Sequence, residues 1–201
     1  MILVITKNSD TFNNPVLFGL FSFLEERKIK SVLICKRNVF DYQFAYNKVI
    51  IWQELPDYRA KNIFRTARQL FIYIKQRYFL RSISRRITTV IGVDPEGIIW
   101  ANEMRYRYVP NAALDYFSFE IFWKHAYPNK EKEISACKGL RNIIVQDTLR
   151  EKFLRQESKI DENVKTFYIP VALPDIREKL NYNKIVDIRK KYNISDNKKL
   201  I

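Results

Sequence analysis

The chain has 201 residues, 47% hydrophobic and 14% aromatic, a composition that excludes an intrinsically disordered protein. No apolar run approaches the roughly 20 residues of a membrane-spanning helix, and the opening MILVITKNSD lacks the basic and apolar regions of a secretory signal. The formal net charge of +14 indicates an anionic partner.

The first part of the chain predicts three strands and two helices. Ile2–Thr6 is short, apolar and β-branched, as is typical of a strand buried on both faces of a parallel sheet. An Asn-Pro pair begins the first helix, Pro15–Lys28, because Asn suits the N-cap and Pro the first helical position. Strands over Ser31–Cys35 and Lys48–Trp52 precede a long basic helix over about Arg59–Arg86.

The second part of the chain continues the alternation of strands and helices. Four further strands are predicted at Thr88–Val93, Ala112–Ser118, Arg141–Gln146 and Val164–Val171. Helices are predicted between them, at residues 94–107, about Lys130–Lys138 and residues 148–156. Asp147 precedes the last of these helices and is expected to be its N-cap.

This alternation predicts an α/β fold: a Rossmann-like, doubly wound, mostly parallel sheet of about seven strands. We expect residues 1–174 to form this domain. Residues 175–197 are charged and poor in large apolar residues, which is typical of an interdomain linker. Residues 198–201 are interpreted as the first strand of a second domain that the chain does not complete.

Polar residues follow several of the predicted strands, at the edge where open parallel sheets bind ligands. They are Asn8 after the first strand, Asp94 and Glu96 after the fourth, and Ser118 and Glu120 after the fifth. Carboxylates beside aromatic rings suit a sugar, whose hydroxyls need acceptors, so we predict that these five residues bind a sugar-like acceptor. The alternatives are that Asp94 caps the next helix and that Glu120 is a solvated loop residue.

The chain offers few candidates for catalysis. His125, the one histidine, and Glu120 are candidates for a general base, although a lone loop histidine is more often incidental. No Cys/His cluster has metal-ligand spacing, so we predict no metal, and Cys35 and Cys137 are expected to be reduced thiols of a cytoplasmic protein. Dinucleotide-binding, P-loop and hydrolase motifs are all missing, and no cofactor is expected.

Basic residues are concentrated in one segment. Tyr58–Val93 contains nine Lys or Arg and no acidic residue. We predict that an apolar stripe that includes Phe71, Ile74 and Tyr78 packs on the core, and that the helix breaks near Tyr78–Leu80, since it otherwise exposes apolar and basic groups together. The basic face is then either solvated or docked on an anionic membrane surface through Arg65, Arg68, Lys75, Arg77, Arg81, Arg85 and Arg86. Nucleic acid is the third alternative, although no recognised binding module accompanies the charge.

Several motifs resemble those of a known enzyme family. VIGVDPEGIIWA, DYFSFE, the KEKE stretch, NIIVQDTLREKFL, FYIPVALPD and RKKYNISDNKKLI occur in this order. Together they resemble the N-terminal domain of a GT-B glycosyltransferase, similar to the large retaining family four. The loop KNSDTFNN departs from that pattern because it lacks the Gly-Gly pair of many relatives, and His125 has no motif-aligned counterpart in the family.

The resemblance implies an enzyme of two Rossmann-like lobes with its active site between them. The N-terminal lobe binds the acceptor, the other lobe binds the nucleotide-sugar as co-substrate, and no metal is required. We therefore expect the acceptor-binding half of a glycosyltransferase, inactive by itself, that serves a lipid-linked or surface-glycan acceptor at the cytoplasmic face of a membrane. The alternative is a non-catalytic basic α/β module that binds nucleic acid or an anionic membrane.

Overall fold

The computed structural model describes residues 1–7, 15–35, 45–52, 63–123 and 125–169, except for the side chains of residues 15 and 63–65. These residues belong to one compact unit, Met1–Val171. The predicted linker and the predicted strand after it lie outside the described residues.

Seven parallel strands and five α-helices make up the described fold. The strands are β1 (Ile2–Thr6), β2 (Ser31–Cys35), β3 (Asn47–Ile51), β4 (Thr89–Val93), β5 (Ala113–Phe117), β6 (Leu140–Val145) and β7 (Lys165–Tyr168). The helices are α1 (Pro15–Glu26), α2 (Ile63–Ile83), α3 (Asp94–Tyr108), α4 (Lys130–Cys137) and α5 (Thr148–Ser158). A 3₁₀ turn, Ser84–Arg86, follows α2 directly.

The strands form a single sheet in the order β3-β2-β1-β4-β5-β6-β7, and the predicted Rossmann-like α/β fold is confirmed. The chain winds outward from β1 to β3, returns to place β4 beside β1, and then continues to β7. Because such crossovers are right-handed, the reversal places α1 on one face and the other helices on the opposite face. Phe21 of α1 accordingly packs with one buried cluster, whereas Leu80 of α2 and Leu154 of α5 belong to the other.

The helix α2 contradicts two predictions. It runs without a break from Ile63 to Ile83, so the predicted break near Tyr78–Leu80 is wrong. Phe71, Ile74 and Tyr78 are 67%, 56% and 75% exposed, so this part of the predicted stripe does not pack on the core. The inward side instead carries residues such as Arg77, which is half-buried, and Leu80, which is buried. Leu80, and not Tyr78, belongs to the core cluster. The helix is therefore rotated about its axis relative to the prediction, so that a different side faces the core.

A buried polar cluster, which we call the Lys130 network, joins α4, α5 and β5. The Lys130 ammonium lies 3.0 Å from Glu133 Oε2 and 3.1 Å from Ser158 Oγ. Glu133 Oε1 accepts hydrogen bonds from Ser158 Oγ at 2.6 Å and from Tyr116 OH at 3.1 Å. All four side chains are buried, so the ion pair is removed from water and its remaining polar atoms are satisfied by hydroxyls.

Two glycines let the start of α3 lie directly on the sheet. A Cβ at Gly97 would lie 2.8 Å from the carbonyl oxygen of Ile5 in β1. A Cβ at Gly92 would lie 2.4 Å from the backbone of Ile98. No side chain fits either space without moving backbone, so glycine is required at both positions for α3 to approach β1 and β4 this closely.

Both cysteines are buried. Cys35 is the last residue of β2 and Cys137 the last residue of α4, and neither forms a disulfide. Burial raises the pKa of the Cys35 thiol to about 11, and it raises the pKa of Cys137 as well. Both thiols are therefore protonated and poorly nucleophilic near neutral pH.

The described helices do not have the character of membrane spans. α2 is the longest of them at 21 residues, and its composition is strongly basic. Within the described ranges, no helix combines the length and apolar character required to cross a bilayer.

Candidate functional site at the carboxyl edge of the sheet

The chain reverses its winding direction between β1 and β4, and ligands of open α/β sheets bind at such a reversal. Lys7 follows β1 there, Asp94 follows β4, and the segment Ser118–Glu120 follows β5. Since β4 and β5 are parallel neighbours, their carboxyl ends share one edge of the sheet. The structure thus brings Asp94 next to the segment after β5.

Asp94 is the residue that joins these two strand ends. Its Oδ1 accepts hydrogen bonds from the backbone amides of Phe119 at 2.7 Å and Glu120 at 3.0 Å. The prediction that Asp94 caps the next helix is wrong, because α3 begins at Asp94 itself and Val93 occupies the N-cap position without a side-chain bond. The Asp94 carboxylate reaches across to β5 instead.

Asp94 also has an unusual backbone conformation and an unusual acidity. Its φ of 59° lies in the left-handed region, which costs a non-glycine residue about 1 kcal/mol or more. The pKa of its carboxyl is raised to about 6, mainly by burial and in smaller part by the nearby Glu120 charge. The two backbone amides and Arg150 act in the opposite direction. A strained residue with a pKa close to neutrality is a candidate functional group.

The segment after β5 is held by side chains on both sides of it. Ser118 is buried, and its hydroxyl donates to the carbonyl of Glu120 at 3.0 Å. Arg150 of α5 donates to the carbonyl of Phe119. Asp147 caps α5 as predicted, with its Oδ1 accepting from the Arg150 amide at 2.8 Å. This segment therefore presents the exposed Glu120 side chain from a fixed backbone.

The remaining predicted site residues lie around this edge. Glu96 is exposed in the first turn of α3. The pKa of Tyr127 is raised to about 12, mainly by burial and in smaller part by the charges of Glu96 and Glu133. His125 is exposed in the turn just before Tyr127. Asn8 lies outside the described residues.

The basic residues of α2 divide into two groups. Arg68, Lys75, Arg81, Arg85 and Arg86 are exposed, whereas Arg77, which was predicted to belong to the same surface, is half-buried. The Arg77 guanidinium lies 3.1 Å from the ring centre of Tyr73 and 4.4 Å from that of Trp52. The side chain of Arg65 is not described. The five exposed basic residues of α2 and the 3₁₀ turn lie beside three exposed apolar residues of α2. We call all eight together the α2 surface: Arg68, Phe71, Ile74, Lys75, Tyr78, Arg81, Arg85 and Arg86.

Sequence reasoning missed the structural role of Arg150 and the aromatic surroundings of Arg77. Neither follows a motif, because both depend on which elements meet after folding. In the part of the chain that the structure describes, no group of three or more His, Cys, Asp or Glu residues could hold a metal ion. No protein-family model matches this chain, and no curated protein matches it significantly.

Proposed function

We propose that this domain is the acceptor-binding lobe of a glycosyltransferase that moves a sugar from a nucleotide-sugar to an acceptor hydroxyl. The observation that supports this most is the position of Asp94 at the carboxyl edge of β4 and β5, where its carboxylate accepts from the backbone amide of Glu120 and feels the Glu120 charge. Hydroxyls donate hydrogen bonds to carboxylates, and a carboxyl with a pKa of about 6 can take a proton from a reacting hydroxyl near neutral pH.

The donor side of the reaction is assigned to a second lobe. The resemblance implies that the second lobe holds the diphosphate of the nucleotide-sugar, and this sequence contains none of the glycine-rich phosphate motifs. The lobe described here would then choose the acceptor and would not transfer sugar by itself. Its acceptor is proposed to be lipid-linked or part of a surface glycan.

Changing Glu120 to Gln in the full-length protein is expected to raise the KM for the acceptor about tenfold or more. A hydrogen bond to a charged group is worth about 1.5–3 kcal/mol, and about 1.4 kcal/mol corresponds to a factor of ten. The measurement is acceptor-dependent turnover of the nucleotide-sugar. Glu162→Gln, at an exposed residue in the turn before β7, is the matched control. Unchanged acceptor kinetics in both Glu120→Gln and Glu96→Gln would remove these carboxylates from the site.

A second proposal concerns where the enzyme works: the α2 surface docks on an anionic membrane. Three large apolar side chains, Phe71, Ile74 and Tyr78, are exposed between basic residues on one side of a helix. Monomeric proteins rarely expose such a combination, whereas interfacial helices insert rings while cations meet anionic headgroups. Such docking would bring the proposed acceptor site near lipid-linked substrates.

Neutralising Arg68, Lys75 and Arg81 together as Gln is expected to weaken binding to phosphatidylserine-containing vesicles about 100-fold. Each cation near the surface contributes about 1 kcal/mol. Co-sedimentation measures the binding, and Lys132, Lys138 and Lys152, all exposed elsewhere, are changed to Gln as the matched control. Equal binding by both triple variants would contradict the α2 surface as the docking face. Tight, salt-sensitive binding to an oligonucleotide without vesicle binding would favour the nucleic-acid module instead.

A further inference from the structure

A second polar site lies between α2 and α3, on the face of the sheet. It is a cleft of about 250 Å³, which we call the α2–α3 cleft. Ligand pockets usually measure about 300–1,000 Å³, so this cleft suits one ring and not a dinucleotide. The residues that define its chemistry are Lys7, Trp52, Arg77, Trp100, Glu103 and Arg107.

Two tryptophans form the apolar part of the cleft. The rings of Trp52, just after β3, and Trp100, in the second turn of α3, meet edge to face with centres 6.1 Å apart. Both side chains belong to the buried core, so their positions are set by the packing of β3 and α3. Cations already lie over both rings, with Arg77 4.4 Å from the ring centre of Trp52 and Lys7 Nζ 6.0 Å from that of Trp100. The part of each tryptophan that lines the cleft is therefore a small, fixed apolar contact for a ring-shaped ligand.

The charged part of the cleft is predominantly positive. Lys7, Arg77 and Arg107 line the cleft together with one carboxylate, Glu103, which gives three positive charges and one negative charge. Arg77 is held over the rings of Tyr73 and Trp52, and its Nη1 also donates to the Tyr73 carbonyl at 3.2 Å. A guanidinium fixed by stacking presents its planar N–H groups in a defined direction, the arrangement that recognises phosphate or carboxylate.

We infer that the α2–α3 cleft binds a small anion carried on a single ring. The two tryptophans contact the ring, and Arg77 and Arg107 pair with its phosphate or carboxylate. Glu103 accepts hydrogen bonds from ring hydroxyls where the ring is a sugar. This site is separate from the carboxylates Asp94 and Glu120, and its binding can be measured without any transfer reaction.

The full chain is titrated with glucose 1-phosphate, phenyl phosphate and inorganic phosphate, and binding is followed by calorimetry and tryptophan fluorescence. We expect saturable binding of a ring phosphate at least tenfold tighter than that of inorganic phosphate. Glu103→Gln is expected to weaken the binding of glucose 1-phosphate and to leave the binding of phenyl phosphate unchanged. This difference distinguishes a sugar ligand from an aryl ligand.

The charge of the cleft is tested with Arg77→Gln and Arg107→Gln. Each is expected to weaken the ring phosphate about tenfold or more, while Lys152→Gln, an exposed change on α5, leaves it unaltered. Arg107 is exposed, so its variant tests the inference even where Arg77→Gln disturbs the packing around Trp52. No saturable binding of either ring phosphate at millimolar concentration, or undiminished binding by both arginine variants, would overturn the inference.

Discussion

Replacing Lys130 by Met is expected to lower the free energy of unfolding by about 3–5 kcal/mol. The change leaves Glu133 charged and buried without its cation, and breaking a buried ion pair costs about this much. The hydroxyls of Ser158 and Tyr116 still donate to Glu133, but they cannot offset a full charge removed from water. Urea denaturation at neutral pH measures the loss.

The double variant Lys130→Met with Glu133→Gln distinguishes the ion pair from a simple packing defect. It removes both charges, and the Gln amide oxygen can still accept from Ser158 and Tyr116. We therefore expect the double variant to regain at least about 2 kcal/mol over Lys130→Met. Lys132→Met, on the exposed side of the same helix, is the control and should change stability by no more than about 0.5 kcal/mol. A loss below about 1 kcal/mol in Lys130→Met would contradict a buried charged network.

Replacing Asp94 by Asn is expected to stabilise the fold near pH 7.5 and to remove the proposed sugar-transfer activity. Asn is tolerated in the left-handed region, and its amide oxygen can accept from the Phe119 and Glu120 amides. It cannot accept a proton, so sugar transfer is expected to fall about 100-fold or more if Asp94 acts as a general base. Asp94 has a left-handed backbone and a buried charge, and both lower the stability of the fold. Such unfavourable features are typical of functional sites, where activity is retained at the expense of stability.

The stabilisation should depend on pH in one direction. The pKa of Asp94 is about 6 in the folded chain against 3.8 for an ordinary aspartate, so the folded chain binds its proton more tightly. Stability from this group is therefore fully present below about pH 3.8 and is lost as the pH rises to about 6. Since a factor of ten in proton affinity is worth about 1.4 kcal/mol, the expected gain of Asn over Asp is about 1–3 kcal/mol at pH 7.5 and small at pH 4.

Asp147→Asn is the matched control for this pH dependence. Asp147 caps α5, and Asn is as good an N-cap as Asp, so little change is expected at either pH. Thermal or urea unfolding of the three proteins at pH 4 and 7.5 gives the comparison. An Asp94→Asn variant that is less stable than the parent protein at pH 7.5 would mean that the charged carboxylate is favourable there, contrary to its raised pKa.

The central strands could be predicted from sequence because β1, β2, β4 and β5 are short apolar runs buried on both faces of a parallel sheet. The pattern of Ile2–Thr6 and Ser31–Cys35 therefore needs no tertiary information. The orientation of α2 could not be predicted, because its apolar residues occur on more than one side of the helix. Which side enters the core is decided by the fit of Leu80, and contact with aromatic rings allows Arg77 to lie inward.

The sequence was sufficient to predict which residues belong to the candidate site. It was not sufficient to predict the hydrogen bonds between them. Parallel strands bring their carboxyl ends to one edge, so the proximity of Asp94 to the segment after β5 follows from topology. The local sequence Asp-Pro-Glu-Gly favours a helix cap, and only the tertiary structure shows that the carboxylate bonds across to Phe119 and Glu120. The α2–α3 cleft was not predicted, since Trp52 and Trp100 are distant in sequence and meet through the packing of α3.

The close seating of α3 on the sheet has a consequence for how the site meets its ligand. Because Gly92 and Gly97 leave no space between the helix start and the strands, α3 cannot slide or tilt toward β1. Asp94 is the first residue of this closely packed helix, so its carboxylate is positioned by backbone packing and by the Phe119 and Glu120 amides. A ligand that bound at this edge would therefore meet shape and charge that these described residues already hold before binding.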